Sequence, residues 1–471
     1  MMSKYPRNSL VVNAKYSEQK LDADKGNPCI EALPTFEDSK DIYDLLNNPL
    51  PFNKDERKEN ALIRRRCLPQ LTQFFRPLGI HMDIAENIIN IIVNGYKKRN
   101  PLTNDYVRIL NGLARCAMEH EEDYSKFIGT NAETGGGSII GLSGMGKSSV
   151  ANRVCAGIPQ KIIHKEYDGK DFPHMQITWM KIDCPFDGSV KGLCEDFLEQ
   201  FDKITGDHTY KKYGYRPSGA THSLIRKMAA IATRHSLGVL IIDEFQNISQ
   251  AKSGGKEKMM NYILNLVNTI GVPVILMGVG EVINAISDNL MYAKRMEGFL
   301  GMGKIPNIRF ESPDWDRLVK ELWKYQWTKT ETPLTPELNA AVYMASAGII
   351  HYAVKIFGLA QRKIITDDTC QNEMLTSELI EKTYFSKDFE LERGLIEKKI
   401  ISGEIQINVL KKSEQRKNDN KKNKKSKNEM KTEHLVEDNL PGIIPRINSD
   451  FHSKIAEYLK NNMEGGLHNQ A

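Results

Sequence analysis

Between residues 136 and 310, short apolar runs alternate with longer amphipathic stretches, and this alternation predicts strands that alternate with helices. A Gly, Asp or Ser follows each apolar run, as is typical of the end of a buried strand. Between the last two runs, apolar residues from Met259 to Ile270 recur at helical spacing. The pattern predicts an α/β fold with a parallel sheet flanked by helices. The predicted strands are Ser138–Ile140, Ile177–Ile182, Val239–Ile242 and Val274–Met277.

Helical patterns dominate on both sides of this core. Ile84, Ile88, Ile91 and Ile92 would share one face of a helix. Ser312-Pro313 and Thr335-Pro336 each join an N-cap to a Pro at the first helical position, and Gly348 would end the second of these helices. The predicted regions are an irregular, partner-binding N-terminal extension (1–60), an N-terminal helical region (61–135), the α/β core (136–310), a C-terminal helical domain (311–400), a basic disordered linker (401–432) and a C-terminal partner-binding peptide (433–471).

Composition places the positive charge of the chain in one short segment. The chain of 471 residues has a formal charge of +5 and is 40% apolar, which excludes wholesale disorder. Residues 411–427 carry a local charge of +7, so the remaining residues sum to −2. That segment is interpreted as a flexible linker, and non-specific attraction to DNA is compatible with this role.

The placement of apolar residues and cysteines favours a cytoplasmic protein. No apolar run approaches the roughly 18 residues that a membrane span needs, and the first ten residues lack the apolar region of a signal peptide. The seven cysteines are dispersed, and no two of them form a CxxC pair. This spacing argues against structural zinc and against a disulfide framework, so a reducing compartment without a membrane partner is expected.

The segment from Gly141 to Ser148, GLSGMGKS, matches the phosphate-binding pattern GxxxxGK[ST]. A predicted strand precedes it and a helical stretch follows it, as the mechanism requires. In such a loop, backbone N–H groups surround a phosphate, Lys147 reaches the β- and γ-phosphates, and the Ser148 hydroxyl binds Mg²⁺. A Gly-rich turn without a ligand is the alternative. The predicted nucleotide contacts in the loop are Gly141, Ser143, Gly144, Met145, Gly146, Lys147, Ser148 and Ser149.

A second half of the site is predicted at the end of the apolar run GVLIIDE, residues 238–244. Asp243 could hold Mg²⁺ through water and contact the nucleotide site, and Glu244 could polarise the attacking water as the catalytic carboxylate. Many buried strands end in surface carboxylates, so this motif indicates a nucleotide site only in combination with the phosphate-binding loop. ATP and Mg²⁺ are the predicted cofactors.

Other parts of a catalytic apparatus are less specific in sequence. Phosphoryl transfer needs positive charge at the γ-phosphate, and Lys294-Arg295 could supply it from a neighbouring subunit, with Arg295 as the chosen residue. A solvated helix face is the alternative for this pair. His351 and Lys355 follow Gly348 and could sense the nucleotide, or could simply be packed or exposed.

Several further segments resemble the TnsC family, the AAA+ ATPase regulators of cut-and-paste transposons that carry separate target-selection proteins. The resemblance extends over roughly residues 25–365 and is loose beyond residue 400. The matching segments are Asn27–Pro34 (NPCIEALP), Phe75–His81 (FRPLGIH), Gly95–Pro101 (GYKKRNP), Lys181–Cys184 with Gly188-Ser189, Ser253–Gly255, Ile270–Pro273, and Val354-Lys355 with Leu359–Gln361.

The resemblance implies an AAA+ fold with a helical lid that assembles into ATP-dependent rings or helical filaments on duplex DNA. It also implies that the protein receives a signal from a target-selection protein and recruits or activates the transposase subunits. The C-terminal end would engage the endonuclease subunit of the transposase. One departure concerns Val279, because relatives place a polar residue after the fourth strand to orient the attacking water. Either Val279 is not the residue that aligns with this position, or ATP hydrolysis is slow, which suits a timer better than a motor.

Contact with DNA requires a local basic patch, since the charge outside residues 411–427 is −2. Lys203, Lys211, Lys212 and Arg216 are the predicted DNA-binding residues, and tyrosines at 210, 213 and 215 lie among them. Lys and Arg neutralise phosphates with little sequence preference. A soluble loop between helices is the alternative.

The predicted function is an ATP-dependent, DNA-binding transposition regulator that oligomerises on target DNA, links a target-selection protein to the transposase and activates insertion. Two alternatives stay open. One is a nucleotide-gated DNA scaffold with negligible hydrolysis, and the other is a generic AAA+ helicase loader or secretion ATPase, against which the N-terminal motifs argue.

Overall fold

The computed structural model describes residues 10–119, 136–209, 221–252, 254–265, 267, 271–280, 305–310 and 312–405. The chain divides into two compact units, and both are discontinuous in sequence. Unit 1 consists of Met1–Asn47, Gly79–Ser143 and Lys147–Ile305, and unit 2 consists of Asn48–Leu78, Gly144–Gly146 and Pro306–Ala471.

Among the described residues, strands and helices are interspersed from Gly137 to Gly278, and the segments before and after this range are helical apart from one short strand. The strands are β1 Val11–Asn13, β2 Gly137–Ile140, β3 Lys161–Tyr167, β4 Lys170–Ile177, β5 Trp179–Asp183, β6 Val239–Asp243 and β7 Val274–Gly278. The α-helices are α1 Pro28–Glu31, α2 Ser39–Leu46, α3 Ala61–Cys67, α4 Gly79–Lys97, α5 Asn104–Glu119, α6 Lys147–Gly157, α7 Val190–Thr205, α8 Thr221–Arg234, α9 Gly255–Asn265, α10 Pro313–Leu322, α11 Pro336–Ser346, α12 Ile350–Thr366, α13 Ser377–Tyr384 and α14 Glu390–Ile401. Short 3-10 helices occupy Asp22–Asp24, Lys54–Lys58, Leu68–Gln73, Phe245–Gln250 and Lys387–Phe389.

A four-stranded parallel sheet in the order β2-β7-β6-β5 forms the centre of unit 1. Strands β6 and β7 are buried along their whole length, which explains why they appear in sequence as continuous apolar runs. A second sheet has the order β1-β3-β4, with β1 parallel to β3 and β3 antiparallel to β4. The α/β fold with a parallel sheet flanked by helices is confirmed.

The prediction of one continuous strand over residues 177–182 is wrong. Residues 177–182 do not form a single strand, because Ile177 ends β4 in the second sheet and Trp179 begins β5 in the central sheet. Thr178 lies between them, where its backbone N–H donates to the carbonyl of Gln160 at 2.9 Å and its carbonyl accepts from Val239 at 3.2 Å. Both partners are tertiary, so the apolar run alone could not reveal the change of sheet.

The predicted irregularity of residues 1–60 is also corrected in part, because short helices occur there. The Asn27 side chain caps α1 and the Asp38 side chain caps α2, each by accepting a backbone N–H bond. Cys29 and Leu46 are fully buried in unit 1. Pro-containing turns separate these elements, which is why the composition suggested no regular structure. The partner-binding role of this segment stays a prediction.

The helices predicted on either side of the core are present. In α4, Ile84, Ile88 and Ile92 are buried, as their spacing predicted. In unit 2, the side chains of Ser312 and Thr335 cap α10 and α11, with Pro at the first helical position of each helix. The helix α11 ends at Ser346, and Gly348 follows with a φ of +71°.

Within the described residues, no single helix has the length and apolarity to cross a bilayer. The pair α11 and α12 meets the criterion only when its two helices are taken together across a bend of 119°.

Candidate nucleotide site

The predicted phosphate-binding loop lies between the end of β2 and the start of α6. Gly144 and Gly146 have φ values of +85° and +86°, a backbone conformation that side chains with a Cβ disfavour. A Cβ on Gly141 would lie 2.5 Å from the Cβ of Ile305, so this position also requires glycine. The strand, the turn and the helix therefore have the arrangement that a phosphate loop needs.

Lys147 is the first residue of α6, and its side chain is buried within unit 1. Its Nζ donates to the backbone carbonyls of Gly141 at 3.0 Å and Leu142 at 2.9 Å. These bonds hold the ammonium at the loop itself, where it can attract an anion. Ser148 and Ser149 follow Lys147 in the first turn of α6, and the contacts of all three residues with a nucleotide stay predictions.

Asp243 is the last residue of β6 and pairs in register with Asp183 of the neighbouring β5. Its side chain is 8% exposed. The Oδ1 atom accepts the backbone N–H of Glu244 at 2.9 Å, and Oδ2 forms an ion pair with the Lys181 Nζ at 2.9 Å. Hydroxyl and carboxylate oxygens are the ligands that Mg²⁺ prefers, so Ser148 and Asp243 fit such an ion by their chemistry.

Glu244 follows Asp243 on a turn with left-handed backbone, φ +52°. Non-glycine residues rarely adopt this conformation, and it is common at functional sites. The Glu244 side chain is exposed, and its Oε2 accepts a hydrogen bond from Nε2 of Gln246. Gln246 thus contacts the predicted catalytic carboxylate, a contact that no sequence motif indicated.

Val279 directly follows β7 and is half-buried. The strand ends at Gly278, one residue later than predicted, so an apolar side chain stands at the position where relatives are expected to place a polar one.

Two predicted nucleotide sensors lie in unit 2. The backbone N–H of His351 donates to the carbonyl of Gly144 at 3.1 Å, and both residues belong to this unit. Burial, followed by the proximity of Lys355, lowers the pKa of His351, which favours its neutral form. The Lys355 ammonium pairs with the Glu392 carboxylate of α14, so this lysine is engaged within unit 2.

The predicted DNA-binding and finger residues are mostly outside the described part of the chain. Lys203 lies near the end of α7, where its exposed ammonium forms an i,i+4 ion pair with Glu199 at 3.2 Å. Such an exposed pair is weak, and the DNA-binding role of Lys203 stays a prediction. Lys211, Lys212 and Arg216, with tyrosines 210, 213 and 215, and also Lys294 and Arg295, fall on residues outside the described ranges, and their roles stay predictions.

The sequence prediction of this site does not include Lys181, although Lys181 belongs to one of the family-like segments. A signal was present, since Lys181 interrupts an apolar strand on the face opposite Met180 and Ile182, which are buried. A charged residue inside a strand that is otherwise apolar requires a partner, and the strand-end carboxylates are candidates.

Comparison with known proteins is consistent with this geometry. A family model described as an AAA domain matches residues 131–286, the region that contains β2 to β7. No curated protein matches the chain. Among solved structures, the Walker-type ATPase PABY2304 of Pyrococcus abyssi is 14% identical, over 62% of this chain and 73% of that chain, with a TM-score of 0.33. The match to the family model assigns residues 131–286 to an AAA-type P-loop ATPase domain, a kind of domain that binds a nucleotide together with a divalent metal ion.

Proposed function

We propose that the domain binds and hydrolyses ATP with Mg²⁺, and that the protein uses this reaction as an ATP-dependent, DNA-binding regulator of transposition. The single observation that carries the first half is the position of Lys147. Its ammonium bonds two carbonyls of the loop at 2.9–3.0 Å, so it stands ready to exchange them for phosphate oxygens.

The other residues have distinct roles in this reaction. The Ser148 hydroxyl and the Asp243 carboxylate would hold Mg²⁺, which neutralises charge on the phosphates when bound. Glu244 would accept a proton from the attacking water, and Gln246, its hydrogen-bond partner, fixes the direction of its carboxylate. The side chain of Val279 offers no polar atom to help orient that water, which favours slow hydrolysis.

The role in transposition rests on the resemblance to the TnsC family, and the packing of the family-like segments supports it. Asn27 Nδ2 donates to the carbonyl of Tyr96 at 2.9 Å, and Asn100 Nδ2 donates to that of Gly26 at 2.8 Å. A Cβ on Gly95 would lie 2.4 Å from Cγ of Pro273. Three family-like segments that are far apart in sequence therefore meet in unit 1.

These segments also contact the strand that carries Asp243. The guanidinium of Arg99 donates to the carbonyls of Leu237 at 2.7 Å and Gly238 at 3.3 Å, immediately before β6. The Tyr96 hydroxyl donates to the carbonyl of Ser236 at 2.9 Å. The family-like segments thus support the residues that lead into β6, the strand that ends with Asp243. This support is a reason for these segments to occur together with a phosphate loop.

Electron microscopy and co-sedimentation with linear duplex DNA test the proposal. With a non-hydrolysable ATP analogue, we expect the full chain to form regular oligomers on DNA, and Lys147→Ala to remain unassembled. Combined replacement of Lys211, Lys212 and Arg216 by Ala should weaken DNA binding and flatten its salt dependence. Replacement of Lys165 and Lys170, two exposed lysines of the β3–β4 hairpin, serves as the control. A protein that stays monomeric with DNA and analogue would refute the proposal.

The link to the transposase has its own test. Deletion of residues 430–471 should leave ATP and DNA binding intact and abolish binding to the transposase endonuclease subunit. If the deleted protein still binds that subunit, the C-terminal segment is not the docking peptide. If neither form binds it, the transposition part of the proposal fails while the DNA-binding ATPase stands.

A second candidate function is a nucleotide-gated DNA scaffold with negligible hydrolysis, which Val279 at the end of β7 favours. Glu244→Gln separates the two candidates. If ATP hydrolysis ends the DNA-bound state, the Glu244→Gln oligomer should stay on DNA longer than the native oligomer when ATP is present, because the variant no longer hydrolyses ATP. A scaffold should dissociate at the same rate as before.

A further inference from the structure

A lysine lies on the strand next to the one that carries Asp243. Lys181 is the third residue of β5 and pairs in register with Ile241 of β6. Its side chain is 21% exposed. Its Nζ forms an ion pair with Oδ2 of Asp243 at 2.9 Å and donates to Oδ1 of Asn152 at 3.0 Å.

The three residues connect three elements of the nucleotide site. Asp243 ends β6, Lys181 belongs to β5, and Asn152 lies on α6, the helix that begins with Lys147. The Lys181 side chain is mostly covered, and these two oxygens replace part of the hydration of its ammonium. The second oxygen of Asp243 accepts the backbone N–H of Glu244, so both carboxylate oxygens have partners within the protein.

Resting on the proposed role of Asp243 in holding Mg²⁺, we propose that Lys181 is a positioning residue that sets the magnesium requirement of the site. Its ammonium neutralises the same carboxylate that the metal ion needs. Because the Oδ1 of Asn152 accepts a second hydrogen bond, the ammonium is shared between the Asp243 carboxylate and this amide oxygen. The cation must compete with this ion pair for the carboxylate, so tight ATP binding demands more Mg²⁺ than the oxygen ligands alone would require.

Titration of the full chain with Mg²⁺, monitored by the binding of a fluorescent ATP analogue, measures this requirement without hydrolysis. Lys181→Gln keeps a hydrogen-bond donor and removes the charge. It should lower the Mg²⁺ concentration at half-maximal binding by roughly tenfold, the effect that one nearby charge commonly has on an ionisable group. Lys181→Arg keeps the charge and should remain within about twofold of the native midpoint.

A double-mutant cycle separates the proposal from a merely structural ion pair. In the Asp243→Asn background, Lys181→Gln should have almost no further effect on the midpoint, because the carboxylate through which the lysine acts is gone. Removal of a purely structural pair would lower the thermal midpoint of unfolding and leave the magnesium midpoint where it was. That result, or a midpoint raised by Lys181→Gln, overturns the inference.

A variant with the opposite sign covers the case in which Lys181→Gln does not fold. Asn152→Leu removes the amide oxygen that shares the ammonium with Asp243, so the ion pair tightens and the Mg²⁺ midpoint should rise by about two- to threefold. An unchanged or lower midpoint in this variant contradicts the inference. If the native chain binds no ATP at any Mg²⁺ concentration, the proposed function itself fails. If the native chain requires Mg²⁺ and the variants share its midpoint, only the role of Lys181 fails.

Discussion

The side-chain amide of Asn27 donates a 2.9 Å hydrogen bond to the backbone carbonyl of Tyr96, across 69 positions of sequence. Oδ1 of the same side chain accepts the N–H of Cys29 at 3.1 Å and caps α1. One buried side chain therefore begins a helix near the N-terminus and holds it to the end of α4. The hydroxyl of Tyr96 in turn bonds the segment before β6, so this contact belongs to the support of the carboxylate strand.

Asn27→Ala should lower the free energy of unfolding by about 1–3 kcal/mol, because it removes a helix cap and one of the two hydrogen bonds to the Tyr96 carbonyl, which keeps the backbone N–H of Arg99. Urea denaturation measures this change. Asn27→Asp keeps the cap acceptor and loses the donor, so it should recover only part of the loss. Equal stability of Asn27→Ala and the native protein would show that the contact contributes nothing.

Gly238 lies where the chain enters β6, and its position leaves no room for a side chain. A Cβ there would lie 2.2 Å from the carbonyl oxygen of Thr178 and 2.7 Å from the Tyr96 hydroxyl. Gly238→Ala should therefore destabilise the protein by at least about 3 kcal/mol. Gly394→Ala is the matched control, because nothing lies within 4 Å of that Cβ and α14 should gain about 1 kcal/mol. Thermal unfolding of both variants tests the contrast, which a mild effect at Gly238 would contradict.

Lys147→Ala should reduce the affinity for ATP by roughly ten- to a hundredfold, the usual value of a hydrogen bond to a charged group. The ammonium would otherwise exchange its bonds with the Gly141 and Leu142 carbonyls for phosphate oxygens. Isothermal titration calorimetry measures the affinity, and Lys170→Ala, which removes an exposed charge from the hairpin, should leave it unchanged. Loss of affinity in both variants would point to general electrostatics and away from the loop.

Arg64 and Glu373 form a buried bidentate ion pair in unit 2. Their side chains are 0% and 5% exposed, and Arg64 Nη2 donates to Glu373 Oε1 at 2.7 Å. Arg64→Met should cost about 3–5 kcal/mol, because the carboxylate is left buried without this partner. Arg66→Met, on the exposed side of the same helix, should change stability by less than about 0.5 kcal/mol. Chemical denaturation distinguishes the two, and a small loss at Arg64 would mean that the pair is not essential for folding.

His174 should make the stability of unit 1 depend on pH. Burial, followed by the proximity of His164 and His235, lowers the pKa of His174 from 6.5 to about 4. Between these pH values the unfolded chain binds a proton at His174 that the folded chain does not bind. The free energy of unfolding is therefore unaffected by this group above about pH 6.5 and falls as the pH drops towards 4. The loss from this group is about 3 kcal/mol.

The free energy of unfolding in urea, measured from pH 7 to pH 4, checks this dependence. His174→Gln can still bond Ser236, the present partner of the His174 ring at 2.9 Å, and should show a shallower slope. His208→Gln, at an exposed position, should keep the native slope. If His174→Gln retains the full slope, other groups carry the pH dependence.

Local patterns were sufficient for much of this architecture. The apolar runs at β2, β6 and β7, the face of α4 and the caps at Ser312 and Thr335 follow from residues within a few positions of one another. The phosphate loop is similarly local, because its glycines, Lys147 and the adjoining strand and helix are contiguous in the chain. Backbone sterics and side-chain spacing act over such short distances, so they can be recognised without a structure.

The tertiary structure alone decided which distant groups meet. The break at Thr178 depends on partners at Gln160 and Val239, and the ion pair between Lys181 and Asp243 depends on the pairing of β5 with β6. The same holds for Asn27 and Tyr96. The bonds join residues from 18 to 69 positions apart, and their geometry exists only after strands and helices have packed. A lysine within a strand shows that a partner is needed, and folding determines that the partner is the carboxylate proposed to hold the metal ion.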